Sequence, residues 1–162
     1  MGNHMRVIAN LVAATAALVL VGAAEGQELI TGANVDSVLA AAAEYGEANL
    51  VEQPNGDPLI NAKVGDVGYQ IFFRNCTENA NCEDINFFLG FLDVKPTLEV
   101  VNEWNASKRF SRAYLDQDKD ACVEMDIDLV EGVSPAYLSS QIAIWTMVVD
   151  QFADHVGYKP AS

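Results

Sequence analysis

Histidine is almost missing from this chain of 162 residues, which has only His4 and His155. Cysteine stands at three, and nine Lys and Arg face 23 Asp and Glu, a formal charge of −14. Each shortage excludes something. Beyond the first residues there are one histidine and at most a few thiols, too few for a zinc centre. A lone histidine without a G-x-S-x-G segment lacks the parts for nucleophilic catalysis. The scarcity of cations argues against nucleic acid and anionic membrane surfaces as partners. Such acidity suits a basic partner or a salty milieu, or simply keeps the chain soluble. No cofactor is expected.

Acids are also missing from one place. The first 24 residues hold none, and Arg6 is their one Lys or Arg. An apolar run, "VIANLVAATAALVLV", fills Val7–Val21, and the small residues of "GAAEG" follow it. A cationic start, an apolar stretch of roughly 15 residues and a small-residue exit describe a secretory leader. The run is shorter than the ~20 residues of a membrane span. Residues 1–26 therefore read as a signal peptide, with "MGNHM" as an upstream start or extra residues, and no membrane anchor is expected after cleavage. The expected location is periplasmic or secreted. From Glu25 onward eight Lys and Arg face 23 acids, and about 136 residues suit one domain.

The elements follow from spacing. After an unstructured 25–33, "NVDSVLAAAAEYG" reads as a helix capped by Asn34 and ended by Gly46 in a left-handed turn. Its alanines imply close packing. Strands are expected in "ANLVEQ", "PLINAKV", "VGYQIFFRN" and "CEDINFFLGF", with turns at "PNGD" and Gly65–Asp66. Leu98, Val101 and Trp104 space a short helix starting near Pro96 or Thr97. "KRFSRAYLD" and "ACVEMDIDLV" then form a hairpin around "QDKD". In its second strand Val123, Met125, Ile127 and Leu129 alternate with Cys122, Glu124, Asp126 and Asp128, which predicts an acidic outer face. Ser134 and Pro135 open a last helix, and Gly157 closes it. Leu138, Ile142, Trp145, Val149, Phe152 and Val156 form its stripe. Ile144, Met147 and Val148 widen that stripe, as burial on two sides or a dimer interface would require. The order is α, three or four β, α, two β, α, an α+β fold on an antiparallel sheet.

Cys76 and Cys82 flank a five-residue loop between adjacent strands. In an oxidising compartment they are expected to form a disulfide that staples the hairpin. Cys122 is left over as an inert thiol or an intermolecular bridge. "DQDKDACVEMDI" begins like a calcium loop, but Ala121 and Ile127 stand where Gly and Glu are needed, so it reads as a polar turn. His155 complements the last helix dipole. The segment "NEWNASKRFSRAYLD" gathers Asn102, Trp104, Asn105, Lys108, Arg109 and Arg112. Arg112 would pair with Glu124, or Arg109 with Asp128, according to a register left open. These residues form either an internal network joining helix to hairpin or a binding patch; the candidate site is Asn102, Trp104, Asn105, Arg109 and Arg112.

The stretch Leu98–Leu129, "LEVVNEWNASKRFSRAYLDQDKDACVEMDIDL", resembles the YbjN family of bacterial proteins, labelled sensory-transduction regulators. The likeness lies in Asn102, Trp104, Asn105, Arg109, Phe110, Tyr114, Asp116, Glu124 and Asp126, and it extends over 34–158, including "GDP" at Gly56–Pro58. It implies a fold similar to the type III secretion chaperones, which commonly dimerise, and the paired cysteines of exported members. It implies no catalytic residues. The expectation is a non-enzymatic exported protein that binds an unknown protein or peptide as a regulator or chaperone-like adaptor, with a homodimer in view. A small-ligand module at the helix–hairpin junction and a carboxylate-dependent hydrolase are the alternatives.

Overall fold

A computed structural model describes residues 28–160. The expected leader, 1–26, lies outside the described residues. The elements run α1 (Val35–Ala43), β1 (Ala48–Glu52), β2 (Pro58–Val64), β3 (Val67–Arg74), β4 (Asp84–Phe91), α2 (Leu98–Ser107), β5 (Arg112–Leu115), β6 (Ala121–Asp128) and α3 (Pro135–Val156). All six strands form one sheet in the order β1-β2-β3-β4-β6-β5, antiparallel throughout. β1 to β4 form a meander. The chain then leaves the sheet through α2, lays β5 at the far edge and returns with β6 between β4 and β5. This is the α+β architecture expected.

One face of the sheet carries the core. The register places Ile60, Ile71, Phe87 and Met125 in a row across four strands. All four are buried, in one cluster with Val38 of α1, Trp104 of α2 and Trp145 of α3. Helix α3 dominates the covering layer, because Leu138, Ile142, Trp145, Val149 and Phe152 are fully enclosed. Each such side chain contributes about 2 kcal/mol by leaving water. The caps are as expected: Ser134 Oγ accepts from Tyr137 N at 3.1 Å, and Gly157 ends the helix at φ +75°. The broad apolar surface of α3 is therefore largely used inside the molecule, with Val148 buried and Tyr137 and Met147 left exposed.

Several expectations need correction. Residues 28–33 are not unstructured: Ile30 is buried, and its N–H and C=O exchange bonds of 2.8 Å with Val133. Asn34 stands at the helix start, but its Oδ1 accepts from Thr31 N and Thr31 Oγ1 instead of capping α1. Gly46 ends no left-handed turn; it lies so close to β2 that a Cβ there would sit 2.0 Å from the Lys63 carbonyl oxygen. The second hairpin starts at Arg112, which leaves Lys108 and Arg109 in the connection before it. Cys122 does alternate with the core residues, but the thiol is buried, against Gly90 and opposite Tyr114.

The Cys76–Cys82 disulfide is formed. Around it Asn75, Glu78, Asn79 and Asn81 hold φ between 47° and 58°. Asparagine tolerates that region better than other side chains, which explains why a loop rich in it turns so tightly. Asn79 Nδ2 also donates to Asn55 O and Asp57 Oδ1, tying this loop to the β1–β2 turn. The "QDKD" turn folds on itself: Asp116 Oδ1 accepts from Asp118 N and Asp120 N, and Asp120 Oδ1 accepts from Asp93 N and Lys95 Nζ.

Candidate functional site

Helix α2 ends at Ser107, and Lys108 to Ser111 cross from it to the edge strand β5. Consecutive helical residues point about 100° apart, so Trp104 and Asn105 have different tasks. Trp104 faces the core. Its ring meets Phe152 edge-on at 5.0 Å, and its Nε1 donates to Ser111 Oγ at 3.2 Å. Asn105 faces the edge of the sheet. Its Nδ2 donates to Ala113 O at 2.9 Å, and its Oδ1 accepts from Ala113 N at 2.8 Å. One side chain thus satisfies both outward backbone groups in the middle of β5. His155 Nε2 donates to the Val100 carbonyl at 2.8 Å, which pins α3 to α2 beyond any dipole role.

Between the end of α2, the 108–111 connection and α3 lies a groove of about 200 Å³. Trp104 and Val148 form its floor, and Lys108, Arg109, Phe110 and Met147 are among its walls. Phe110 is 58 % exposed and Met147 53 %. Phe110 also holds φ +70°, costly for a bulky side chain. Lys108 Nζ bonds Gln151 Oε1 at 2.9 Å, and the Arg109 guanidinium stands 5.4 Å from the Phe110 ring centre. Among the described residues neither cation has a carboxylate partner. Of the five residues expected from sequence, Trp104 and Arg109 line this groove. Asn105 is engaged with β5, and Asn102 is exposed one turn earlier on α2. Lys108, Phe110 and Met147 were not among the five. The signal for Lys108 and Phe110 was the "KRF" triplet, and for Met147 the widened stripe of the last helix.

Arg112 lies on the other side of the sheet. It stands opposite Glu124, which settles the register. Its guanidinium bonds Glu124, and it donates to Asp126 at 2.5 Å. The Tyr114 hydroxyl donates to Glu124 Oε1 at 2.6 Å. Asp128 instead accepts from Val130 N. These acids raise the Arg112 pKa against the opposing effect of burial. Burial first, and then Asp116, Glu124 and Asp120, push the Cys122 thiol up to about 11. This sheet face carries no helix. A row Asn49, Asn61, Gln70, Phe88, Glu124, Arg112 crosses it. Over β2, β3 and β4 the row borders a shallow groove of about 320 Å³.

Among the described residues no helix is long and apolar enough to cross a membrane, and no three His, Cys, Asp or Glu side chains are grouped to hold a metal. The fold and these surfaces define a class: a two-layer α+β protein with helices on one face of an open antiparallel sheet, and an apolar, cationic groove at the end of its second helix. More particularly, the chain belongs to the YbjN family, described as "Putative bacterial sensory transduction regulator", whose sequence model matches residues 34–157. No curated protein matches it. Among solved structures it is similar to the Yersinia pestis type III secretion chaperone SycH in complex with a stable fragment of YscM2. That similarity has 18% identity and a TM-score of 0.45, covering 71% of this chain and 93% of that chain.

Proposed function

We propose that the protein is a non-enzymatic binding protein of the bacterial envelope, a regulator or chaperone-like adaptor. It takes a protein or peptide segment into the groove between α2, the 108–111 connection and α3. Family membership supports the regulatory class, and the Cys76–Cys82 bond fits an oxidising compartment reached by export. The observation that carries the reading is Phe110. A large apolar ring held out in solvent at φ +70° costs free energy that the monomer does not recover, as groups waiting for a partner do. Lys108 and Arg109 beside it select a segment that pairs a carboxylate with a bulky apolar side chain.

A small-ligand site draws less support, since about 200 Å³ is below the ~300 Å³ of common ligand pockets. A hydrolase draws less again, because converging acids meet on cations: Glu124 and Asp126 on Arg112, and Asp93 and Asp120 on Lys95. The test is a photo-crosslinking amino acid at Phe110 in cells that export the protein, with the same probe at exposed Glu131 as control. A discrete adduct at 110 that Arg109→Glu removes is the expected result. Adducts equal to those at 131, or indifferent to Arg109→Glu, would overturn the proposal.

A further inference from the structure

The helix-free face of the sheet holds a second groove, and one glycine in it serves no purpose in the folded chain alone. The groove measures about 320 Å³ over β2, β3 and β4, inside the ~300–1,000 Å³ range of small-ligand sites. Lys63 stands opposite Gly68, and Gln70 opposite Phe88. The same register carried two residues on sets Gly68 beside Gly90, so two neighbouring strands leave the floor bare. Gly90 is explained by what surrounds it: a Cβ there would meet the Phe88 ring at 3.1 Å and Cys122 Sγ at 3.3 Å. Gly68 has no such cause. It holds no positive φ, and a Cβ would find its nearest atom, the Ala62 carbonyl oxygen, 4.0 Å away. Glycine inside a strand weakens it, and it often marks a place where a ligand approaches the backbone.

The walls define the chemistry of that ligand. Asn49, Asn61 and Gln70 form a row of amides along one side. Gln70 Nε2 donates to Asn61 Oδ1 at 3.1 Å. Among the described residues Asn61 Nδ2, Gln70 Oε1 and both ends of the Asn49 amide have no protein partner, so free donors and acceptors stand side by side. Phe88 continues the row with a half-buried ring, edge-on to Phe72 at 6.0 Å. The charged residues of the groove, Glu47 and Lys63, pair with each other at 3.2 Å. The groove is therefore neutral on a chain of formal charge −14. An anion would meet no unpaired cation in it. A wholly apolar ligand would bury the amides unmet. A peptide strand could not extend the sheet here, because β2, β3 and β4 are each paired on both sides. The fit is to a neutral molecule whose groups both donate and accept and whose C–H faces pack on an aromatic ring. We infer that the groove binds a neutral saccharide, with its hydroxyls on Asn49, Asn61 and Gln70 and a ring face against Phe88, over the bare backbone at Gly68. The inference is independent of the groove at Phe110, which lies on the helix side.

The experiment is a titration of the purified protein with chitotriose, cellotriose and maltotriose to about 10 mM, with trigalacturonic acid as the charged control. It is read in amide spectra that include the side-chain NH2 groups. The expected result is that at least one neutral trimer shifts the side-chain amides of Asn49, Asn61 and Gln70 and the backbone amides of Gly68 and Gly90, independently of salt. Gly68→Val should crowd the groove and weaken that binding at least about tenfold. It should leave the melting temperature unchanged or higher, since a β-branched side chain suits a strand. Asn49→Ala removes an amide that bonds nothing within the protein. It should weaken binding about fivefold, as the loss of one hydrogen bond does, with an unchanged melt. No response to any neutral trimer, shifts centred on other residues, or tighter binding of the acidic trimer would overturn the inference. So would a Gly68→Val variant that binds like the parent, or one that melts lower, since that would give the glycine a structural cause.

Discussion

Replacing Asn105 by Ala removes both bonds to Ala113, the 2.9 Å bond to its carbonyl and the 2.8 Å bond from its N–H. Two neutral hydrogen bonds are worth about 1 kcal/mol each. Ala113 is buried, so water cannot freely replace the amide, and some desolvation penalty adds to the loss. The expected destabilisation is about 2–4 kcal/mol, a large part of the 5–15 kcal/mol of a typical domain. Asn105→Asp separates the two bonds. An ionised carboxylate still accepts from Ala113 N–H but opposes the Ala113 carbonyl, and only the protonated acid restores a donor. That variant should therefore be weak at pH 7 and recover, relative to the parent, as the pH falls through about 4. Urea unfolding of the parent and both variants at pH 7 and pH 4 measures this, with equal slopes confirming that only stability has changed. The reasoning fails if Asn105→Ala unfolds at the parent midpoint, or if the Asp variant shows no pH dependence beyond the parent's. Such a result would return Asn105 to the pool of residues free to meet a ligand.

Gly46→Ala should cost about 2–4 kcal/mol, because its Cβ would sit 2.0 Å from Lys63 O. Gly65→Ala, at φ +55° with open space around it, should cost only about 1 kcal/mol; thermal melts of the pair test the ranking. Burial raises the Cys122 thiol from 9.0 to about 11 and the Tyr69 phenol from 10.0 to about 12. Both groups are neutral in the folded chain and ionise earlier when it unfolds, so stability is complete below pH 9 and falls as pH rises towards 11–12. The loss is about 2–3 kcal/mol for each group, read from urea midpoints between pH 8 and about 12, and Cys122→Ser should remove the earlier part. Mass spectrometry after alkylation at pH 8 should find Cys76 and Cys82 unmodified without reductant, and Cys122 modified only after denaturation.

What was legible in the sequence was whatever depends on near neighbours. Ser134, Pro135 and Gly157 bounded α3 because caps are local chemistry, and Gly65–Asp66 marked a hairpin for the same reason. The alternation in Ala121–Asp128 gave the two faces of β6. What neighbours across the sheet decide was not legible. Cys122 shares the acidic face of its strand, yet Gly90 and Tyr114, from the strands on either side, close over it. Arg112 with Glu124 and Arg109 with Asp128 were rival pairings, and three residues apart the two arginines fall on opposite sides of a strand. A slip of one residue would have exchanged their roles. The structure resolves this through Asn105, which holds Ala113 and so fixes where β5 begins, leaving Arg109 ahead of the strand without an acid. The free charge at the Phe110 groove is thus a consequence of the clamp that closes the β5 edge. A side chain from α2 meets the outward groups of Ala113 at this edge, and the unmet cations stand beside that clamp. Partners are to be sought there, by charge and apolar contact at Phe110.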